Sequence, residues 1–220
     1  MLDTDFFAND ACTVAQSLIG KVIRRKYKGI WLSAQIIETE AYFLTDKASH
    51  SSLGYTEKRK AMFMPAGTIY MYYARGHDSL NISCGNKGDA VLIKAAFPFT
   101  DKKSPPQSIA IMQKLNPAAN ASLRPVDKLC AGQTLLCKSL NLKVKEWDQQ
   151  QFSKNEFYIE NSKRPVHKII KTYRLGIHRD RDAHLLYRFI DFDLVKYCSS
   201  NPLTKRAYQE EKDYIIINHD

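Results

Sequence analysis

No apolar run in this sequence approaches the roughly 18 residues of a membrane span. The first residues, Met1-Leu2-Asp3-Thr4-Asp5-Phe6, are acidic and lack the basic-then-apolar layout of a secretory signal. Cysteine is sparse: Cys12, Cys84, Cys130, Cys137 and Cys198 are scattered and odd in number, which argues against a disulfide framework. There is no CxxC pair and no HxE with a downstream PCxxC, so neither a zinc site nor a zinc deaminase is indicated. Repeats, low-complexity blocks and a clear linker are also missing. These absences describe a reduced, intracellular chain with no membrane association, metal or cofactor.

What is present is a core and a charge. Of 220 residues, 44% are apolar, enough for one sizeable domain. Lys and Arg number 33 against 23 Asp and Glu, a formal charge of +10 that favours a polyanionic partner.

Asp10 is a plausible N-cap for a helix from Ala11 to Leu18 that ends at Gly20. Lys21–Tyr27 and Ile30–Glu40 form a hairpin around Lys28-Gly29. Its basic residues (Lys21, Arg24, Arg25, Lys26, Lys28) suit a charge-protected edge. Phe43 to Lys60 is a long polar loop of the kind that carries function. Strands are predicted over 68–73, 80–84, 90–96, 157–160, 168–170 and 185–190, with a hairpin tip at Arg75-Gly76-His77-Asp78. Helices are predicted over 108–115 and 128–140, the latter with Gly132 inside it or at a kink, and residues 143–155 read as a polar loop. The fold class is α+β: one domain over 1–200, a curved, mainly antiparallel sheet surrounded by helices, then a tail over 201–220.

One stretch organises the rest. Ala34, Ile36 and Ile37 lead into Glu38-Thr39-Glu40-Ala41-Tyr42, and His50 follows eight residues later. Alternation along a regular strand puts Glu38, Glu40 and Tyr42 on one face. A carboxylate beside a ring at the end of a core strand is costly to bury unpaired. The bland alternative is two exposed glutamates where the strand leaves the sheet. Tyr42, His50, Tyr70 and Tyr72 add flat rings, and Lys58, Arg59, Lys60, Arg75 and Lys94 add positive charge. Rings plus cations hold an unstacked base and its phosphates, and a carboxylate there can activate water. Lys94 interrupts the apolar run Val91-Leu92-Ile93-Lys94-Ala95, so it must reach solvent or find a partner.

The ordered blocks Ser17-Leu18-Ile19-Gly20, Ile37-Glu38-Thr39-Glu40-Ala41-Tyr42, Asp46-Lys47-Ala48-Ser49-His50, Gly67-Thr68-Ile69-Tyr70-Met71-Tyr72, Asn81-Ile82, Leu129-Cys130-Ala131-Gly132 and Arg174-Leu175-Gly176-Ile177 resemble the alkyladenine (3-methyladenine) DNA glycosylases. The resemblance runs from about Ala15 to Ile190. It implies that Glu40 activates the attacking water, with Lys94 beside it. It implies that Tyr42, His50 and Tyr72 sandwich the extruded purine, lined also by Ala48. Asn81 would oppose the exocyclic amine of normal guanine, and the backbone amide of His50 would read the purine edge. Arg75, His77, Lys58, Arg59, Lys60 and Met62 would meet DNA. The implied protein is a monomer acting on double-stranded DNA that contains alkylated purines, cytoplasmic with the nucleoid or nuclear in a eukaryote. An alkylated purine is cationic and leaves as a neutral base, so one carboxylate suffices and base excision without strand cleavage is expected. Glu38, about 7 Å away on a regular strand, is the rival base.

The sequence departs from the family pattern at several of these positions. Arg75 stands where a wedge tyrosine is usual, Lys94 where an arginine is usual, and Arg59 where an asparagine is usual. Gln133-Thr134-Leu135 replaces a segment with a DNA-contacting lysine, and the hairpin after Arg75 is one residue shorter. Asp78 at its tip would face DNA unfavourably. Two rival readings therefore stand beside the glycosylase: a catalytically impaired binder of damaged DNA, and an enzyme acting on RNA.

Overall fold

The computed structural model describes residues 1–219. Nine strands form one antiparallel sheet: β1 (Val22–Tyr27), β2 (Ile30–Tyr42), β3 (Ile69–Ala74), β4 (His77–Ser83), β5 (Ala90–Pro98), β6 (Phe157–Glu160), β7 (Lys168–Thr172), β8 (Arg188–Asp191) and β9 (Tyr214–Asn218). Their order is β3-β4-β5-β2-β8-β7-β9, and β1 joins β2 to β6. The fold is the single-domain α+β arrangement expected, with an open sheet. Among the described residues no helix is long and apolar enough to cross a membrane.

The sheet is built around β2. Its 13 residues span about 43 Å at 3.3 Å each. One edge pairs with β5 along most of its length. The other edge pairs first with β1 through Ile30–Gln35, then with β8 through Glu38–Glu40. A strand paired on both sides is hard to expose, and every residue from Leu32 to Ala41 is buried.

Short helices surround the sheet: α1 (Thr4–Phe7), α2 (Ala11–Leu18), α3 (Gln107–Leu115), α4 (Gln133–Ser139) and α5 (Val144–Trp147). The α2 boundaries follow local chemistry. Asp10 accepts from Cys12 N and Thr13 N, satisfying donors with no intrahelical partner. Ala11, Val14, Ala15 and Leu18 are buried on one stripe, and each large aliphatic side chain so covered is worth about 1.5–3 kcal/mol. Gly20 takes φ +83°, and a Cβ there would sit 2.4 Å from Val166 Cγ2. The helix is fixed to the centre of the sheet where Thr39 Oγ1 donates to the carbonyl of Ala15.

Several expectations need correction. The helix expected over 128–140 begins at Gln133. Gly132 is its N-cap, in a backbone conformation a helix interior does not use, and Val126–Lys128 forms a separate 3-10 turn. The polar loop expected at 143–155 contains α5, whose Trp147 is buried against Phe157. The closing strand starts at Arg188 rather than Leu185. The hairpin tip is two residues, Arg75 (φ 51°) and Gly76 (φ 79°), with His77 and Asp78 already paired in β4. Positive φ at both central residues is what a tight type I′ hairpin requires. The segment expected as a tail places β9 against β7 from Thr172↔Tyr214 to Lys168↔Asn218. The isoleucine-rich run is spent on an edge strand.

Candidate active site

Two irregularities in the β2–β5 ladder shape the site. The register passes from Ile36↔Ala96 to Glu38↔Ala95, leaving Ile37 unopposed, and then to Thr39↔Ile93, leaving Lys94 unopposed. Unopposed residues of this kind re-aim side chains beside active sites. Lys94 thereby leaves its apolar neighbours and points its Nζ at Glu40 Oε1, 3.4 Å away. The lone lysine of an apolar strand pairs instead of snorkelling.

Glu40 is fully buried. Oε2 accepts from the Tyr42 hydroxyl at 2.7 Å, and Oε1 accepts from Leu175 N at 3.1 Å. Lys94 adds charge rather than a directed hydrogen bond. A carboxylate has about four acceptor directions, so two hydrogen bonds leave room for a water. Burial, then the Glu40 charge, push the Tyr42 phenol up from its ordinary value, so it remains a hydrogen-bond donor.

Tyr42 and Lys94 border a cavity of about 810 Å³, large enough for a nucleotide. Ala48, His50, Met62, Tyr72, Arg75, His77 and Asn81 also line it. Glu40 lies beneath this lining and is joined to it by its bonds to Tyr42, Lys94 and Leu175. His50 meets Tyr72 edge-on, 4.4 Å between centroids, and Tyr72 stacks on Tyr70 at 5.5 Å. His50 Nδ1 and the Tyr70 hydroxyl share a hydrogen bond of 2.9 Å. Burial, then the Arg59 and Arg181 charges, hold the imidazole below its ordinary value of 6.5. Asn81 Nδ2 donates to the Tyr70 carbonyl at 3.2 Å, which fixes the amide plane.

The sequence profile of the methylpurine-DNA glycosylase (MPG) family matches residues 5–193 of this chain. The chain belongs to that family. A Pseudomonas savastanoi pv. phaseolicola protein provisionally named a 3-methyladenine DNA glycosylase is 52% identical over 217 residues, covering 99% of this chain and 97% of its own. A Pseudomonas aeruginosa protein with the same provisional name is 49% identical, covering 99% of this chain and 91% of its own. Another, from Clostridium beijerinckii, is 31% identical, covering 91% and 97%.

In this methylpurine-DNA glycosylase family member the rival carboxylate, Glu38, is already engaged. Arg188 Nε donates to its Oε1 at 2.6 Å, with both side chains almost completely buried. Ser199 adds its backbone N and its hydroxyl, each at 2.7 Å. Glu38 does not line the cavity. Glu38 and Glu40 keep regular register with β8 and so share a face, but Glu38 is engaged by Arg188 and Ser199 while Glu40 bonds residues of the cavity wall.

The loop cations are likewise divided. Arg59 Nη1 donates to the carbonyls of Leu53 and Gly54, bracing the loop. Lys60 lies near Glu57, and Lys58 is exposed. None of the three lines the cavity, whereas Arg75 and His77 do, at its exposed rim. Asp78 accepts from Val144 N and lies 3.4 Å from Lys143 Nζ, so its charge is tied to the start of α5.

Sequence reasoning assigned no role to Arg174, Leu175 or Asp46, although all three fall inside the blocks that carried the resemblance. Arg174 is buried, paired with Asp46, and donates to the Ala41 carbonyl. Leu175 acts through its backbone N–H, which no side-chain pattern reveals. The Ala131–Leu135 wall of the cavity was obscured by the helix expected to run through Gly132.

Proposed function

We propose that this chain hydrolyses the N-glycosidic bond between deoxyribose and alkylated purines, 3-methyladenine among them, in double-stranded DNA. The observation that carries the reading is the buried Glu40 carboxylate, bonded by Tyr42 and Leu175 and paired with Lys94, directly under a nucleotide-sized cavity walled by Tyr42, His50 and Tyr72. A base still stacked in the duplex cannot enter such a cavity, so the target nucleotide must rotate out of the helix. Its cationic ring is attracted to aromatic faces. Burial disfavours a charge on His50 that would oppose this attraction.

Glu40 accepts a proton from the bound water as it attacks the anomeric carbon and offsets charge on the oxocarbenium-like sugar. Lys94 places a positive charge 3.4 Å from Glu40. The purine departs as a neutral molecule, so the hydrolysis needs no lysine nucleophile and leaves the strand intact at that step. Arg75 and His77, exposed at the rim, would meet phosphates. Asn81, held by Tyr70, would oppose the exocyclic amine of guanine.

Glu40→Gln keeps the shape and removes the base. Release of 3-methyladenine should fall about 10²–10⁴-fold while DNA affinity stays nearly intact. Unchanged release by this variant discards the mechanism. Binding should weaken steeply with salt, because phosphates are neutralised; a flat salt titration discards DNA as the substrate. One observation favours a second reading, a damaged-DNA binder without activity: Glu40 is fully covered in the absence of DNA. Tight binding to an abasic analogue with no release of any modified purine would support that reading.

A further inference from the structure

Among the described residues, Lys94 is the one lysine that lines the cavity. Its side chain is only 15% exposed, and its Nζ lies 3.4 Å from Glu40 Oε1. The hydrolysis proposed above, on which this inference rests, makes a new electrophile there. Loss of the base leaves a deoxyribose whose C1′ opens to an aldehyde, and C1′ is the atom attacked by the Glu40-bound water. A primary amine therefore stands beside the same carboxylate that addresses C1′. Amines condense with carbonyls to give Schiff bases, a reaction closed to a guanidinium.

We propose that Lys94 gives this chain a second activity, a slower abasic-site lyase reaction on the product of its own glycosylase step. Glu40 first passes the proton it took from the attacking water to solvent, and the carboxylate then takes a proton from the Lys94 ammonium. The freed Nζ lone pair adds to C1′, the C=O π pair moves onto oxygen, and a proton passes from the nitrogen to that oxygen. Glu40 returns its proton to the hydroxyl of the resulting carbinolamine, which leaves as water, and a C1′=N iminium forms. The iminium acidifies the C2′ hydrogen. Glu40 accepts that proton, the C–H electron pair makes the C2′=C3′ double bond, and the C3′–O bond breaks. The downstream strand leaves with a 5′-phosphate. Water then hydrolyses the iminium, returning the Lys94 amine and leaving an unsaturated aldehyde on the upstream strand. No oxidant or reductant is consumed.

The geometry permits this and limits its rate. Nζ lies on a bulge of β5, held toward the cavity floor by Glu40, and the ammonium must first give up its ion pair. The same two side chains serve both steps, so base release comes first and strand scission follows on whatever abasic product remains bound.

The test uses the full chain and a duplex with a single abasic site prepared by uracil excision, so no glycosylase step is needed. Sodium borohydride reduces the iminium to a stable secondary amine, and denaturing electrophoresis shows the covalent protein–DNA complex. The expected result is a trapped complex and a β-elimination product with the wild-type chain, both lost in Lys94→Arg. Mass spectrometry of the wild-type adduct should map the modification to Lys94, an outcome independent of whether the variant folds. No trapped complex, an adduct mapped elsewhere, or an adduct unchanged in a folded Lys94→Arg protein overturns the proposal. Release of 3-methyladenine is measured on the same preparation. Release without trapping removes the lyase alone; no release removes the glycosylase reading itself.

Discussion

The guanidinium of Arg174 lies 4.7 Å from the centre of the Tyr42 ring. It also lies 5.3 Å from the Tyr187 ring, pairs with buried Asp46 and bonds the Ala41 carbonyl. One face of Tyr42 is thus taken by a fixed cation, while the ring borders the cavity. The next residue, Leu175, supplies the N–H that orients Glu40. A single two-residue segment therefore holds both the ring and the carboxylate.

Arg174→Ala leaves Asp46 buried and without its counter-charge. Breaking one side of such a pair costs about 3–5 kcal/mol, to be read from urea unfolding. Arg174→Lys retains the charge but loses the planar fork and the stacking, so it should recover only part of that stability. Base release should fall further in Arg174→Lys than its stability loss alone accounts for. Wild-type release by the lysine variant would show that Tyr42 and Glu40 need no such support.

The two glutamates of β2 should separate by kind of effect. Glu38→Gln breaks a buried ion pair with Arg188 and weakens the bonds from Ser199, so its expected signature is about 3–5 kcal/mol of lost stability. Glu40→Gln should lose release and change unfolding far less, because its amide oxygen can still accept from Leu175 or Tyr42. The pair of variants is compared by unfolding and by base release side by side. Large stability loss at Glu40 with lost activity at Glu38 would reverse the roles.

His50 sets a pH dependence. Its folded-state pKa lies below 6.5, mainly through burial and then through Arg59 and Arg181. Between the folded and unfolded values the unfolded chain binds more protons, so stability rises with pH there. The contribution is fully present above 6.5 and is lost as pH falls through the folded value. An NMR titration of the imidazole should give a midpoint under 6.5, and His50→Gln should flatten this part of the stability–pH curve. A midpoint above 6.5 would put a charged imidazole in the cavity and contradict the proposed attraction of cationic purines.

Removing residues 214–220 should free one side of β7. Amide exchange over Lys168–Thr172 is expected to accelerate, with β3 and β4 at the opposite edge unchanged. Unaltered exchange in β7 would mean that β9 adds nothing to the sheet.

How much of this was legible in the residues follows from the range of the forces involved. The α2 boundaries were readable because Asp10 and Gly20 act on their own backbone neighbours. The Lys28-Gly29 hairpin was readable for the same reason. The cavity rings at Tyr42, His50 and Tyr72 came through the family resemblance, and the fold brings them together. Lys94 was visible as an anomaly, but the bulge that turns it toward Glu40 depends on how β2 and β5 register, which neither strand encodes alone. Glu38 looked like a second catalytic candidate because its partners, Arg188 and Ser199, lie 150 and 161 residues away. The helix through Gly132 was misread because apolar spacing continued across it, while its φ of 153° is a backbone conformation that no helix interior uses. The edge strand Tyr214–Asn218 looked like a sticky tail because a strand's partner is invisible from its own five residues.

The distance between Glu38 and its partners has a bearing on synthesis. A ribosome delivers the longest strand early, with two carboxylates that the finished sheet seals from water. The arginine and serine that neutralise the first of them emerge only in the last fifth of the chain. Until then the middle of the nascent sheet must remain hydrated, and the strands on its far side have nothing to dock on. Emergence of that arginine and serine, rather than of the early hairpins, is the event that closes the interior.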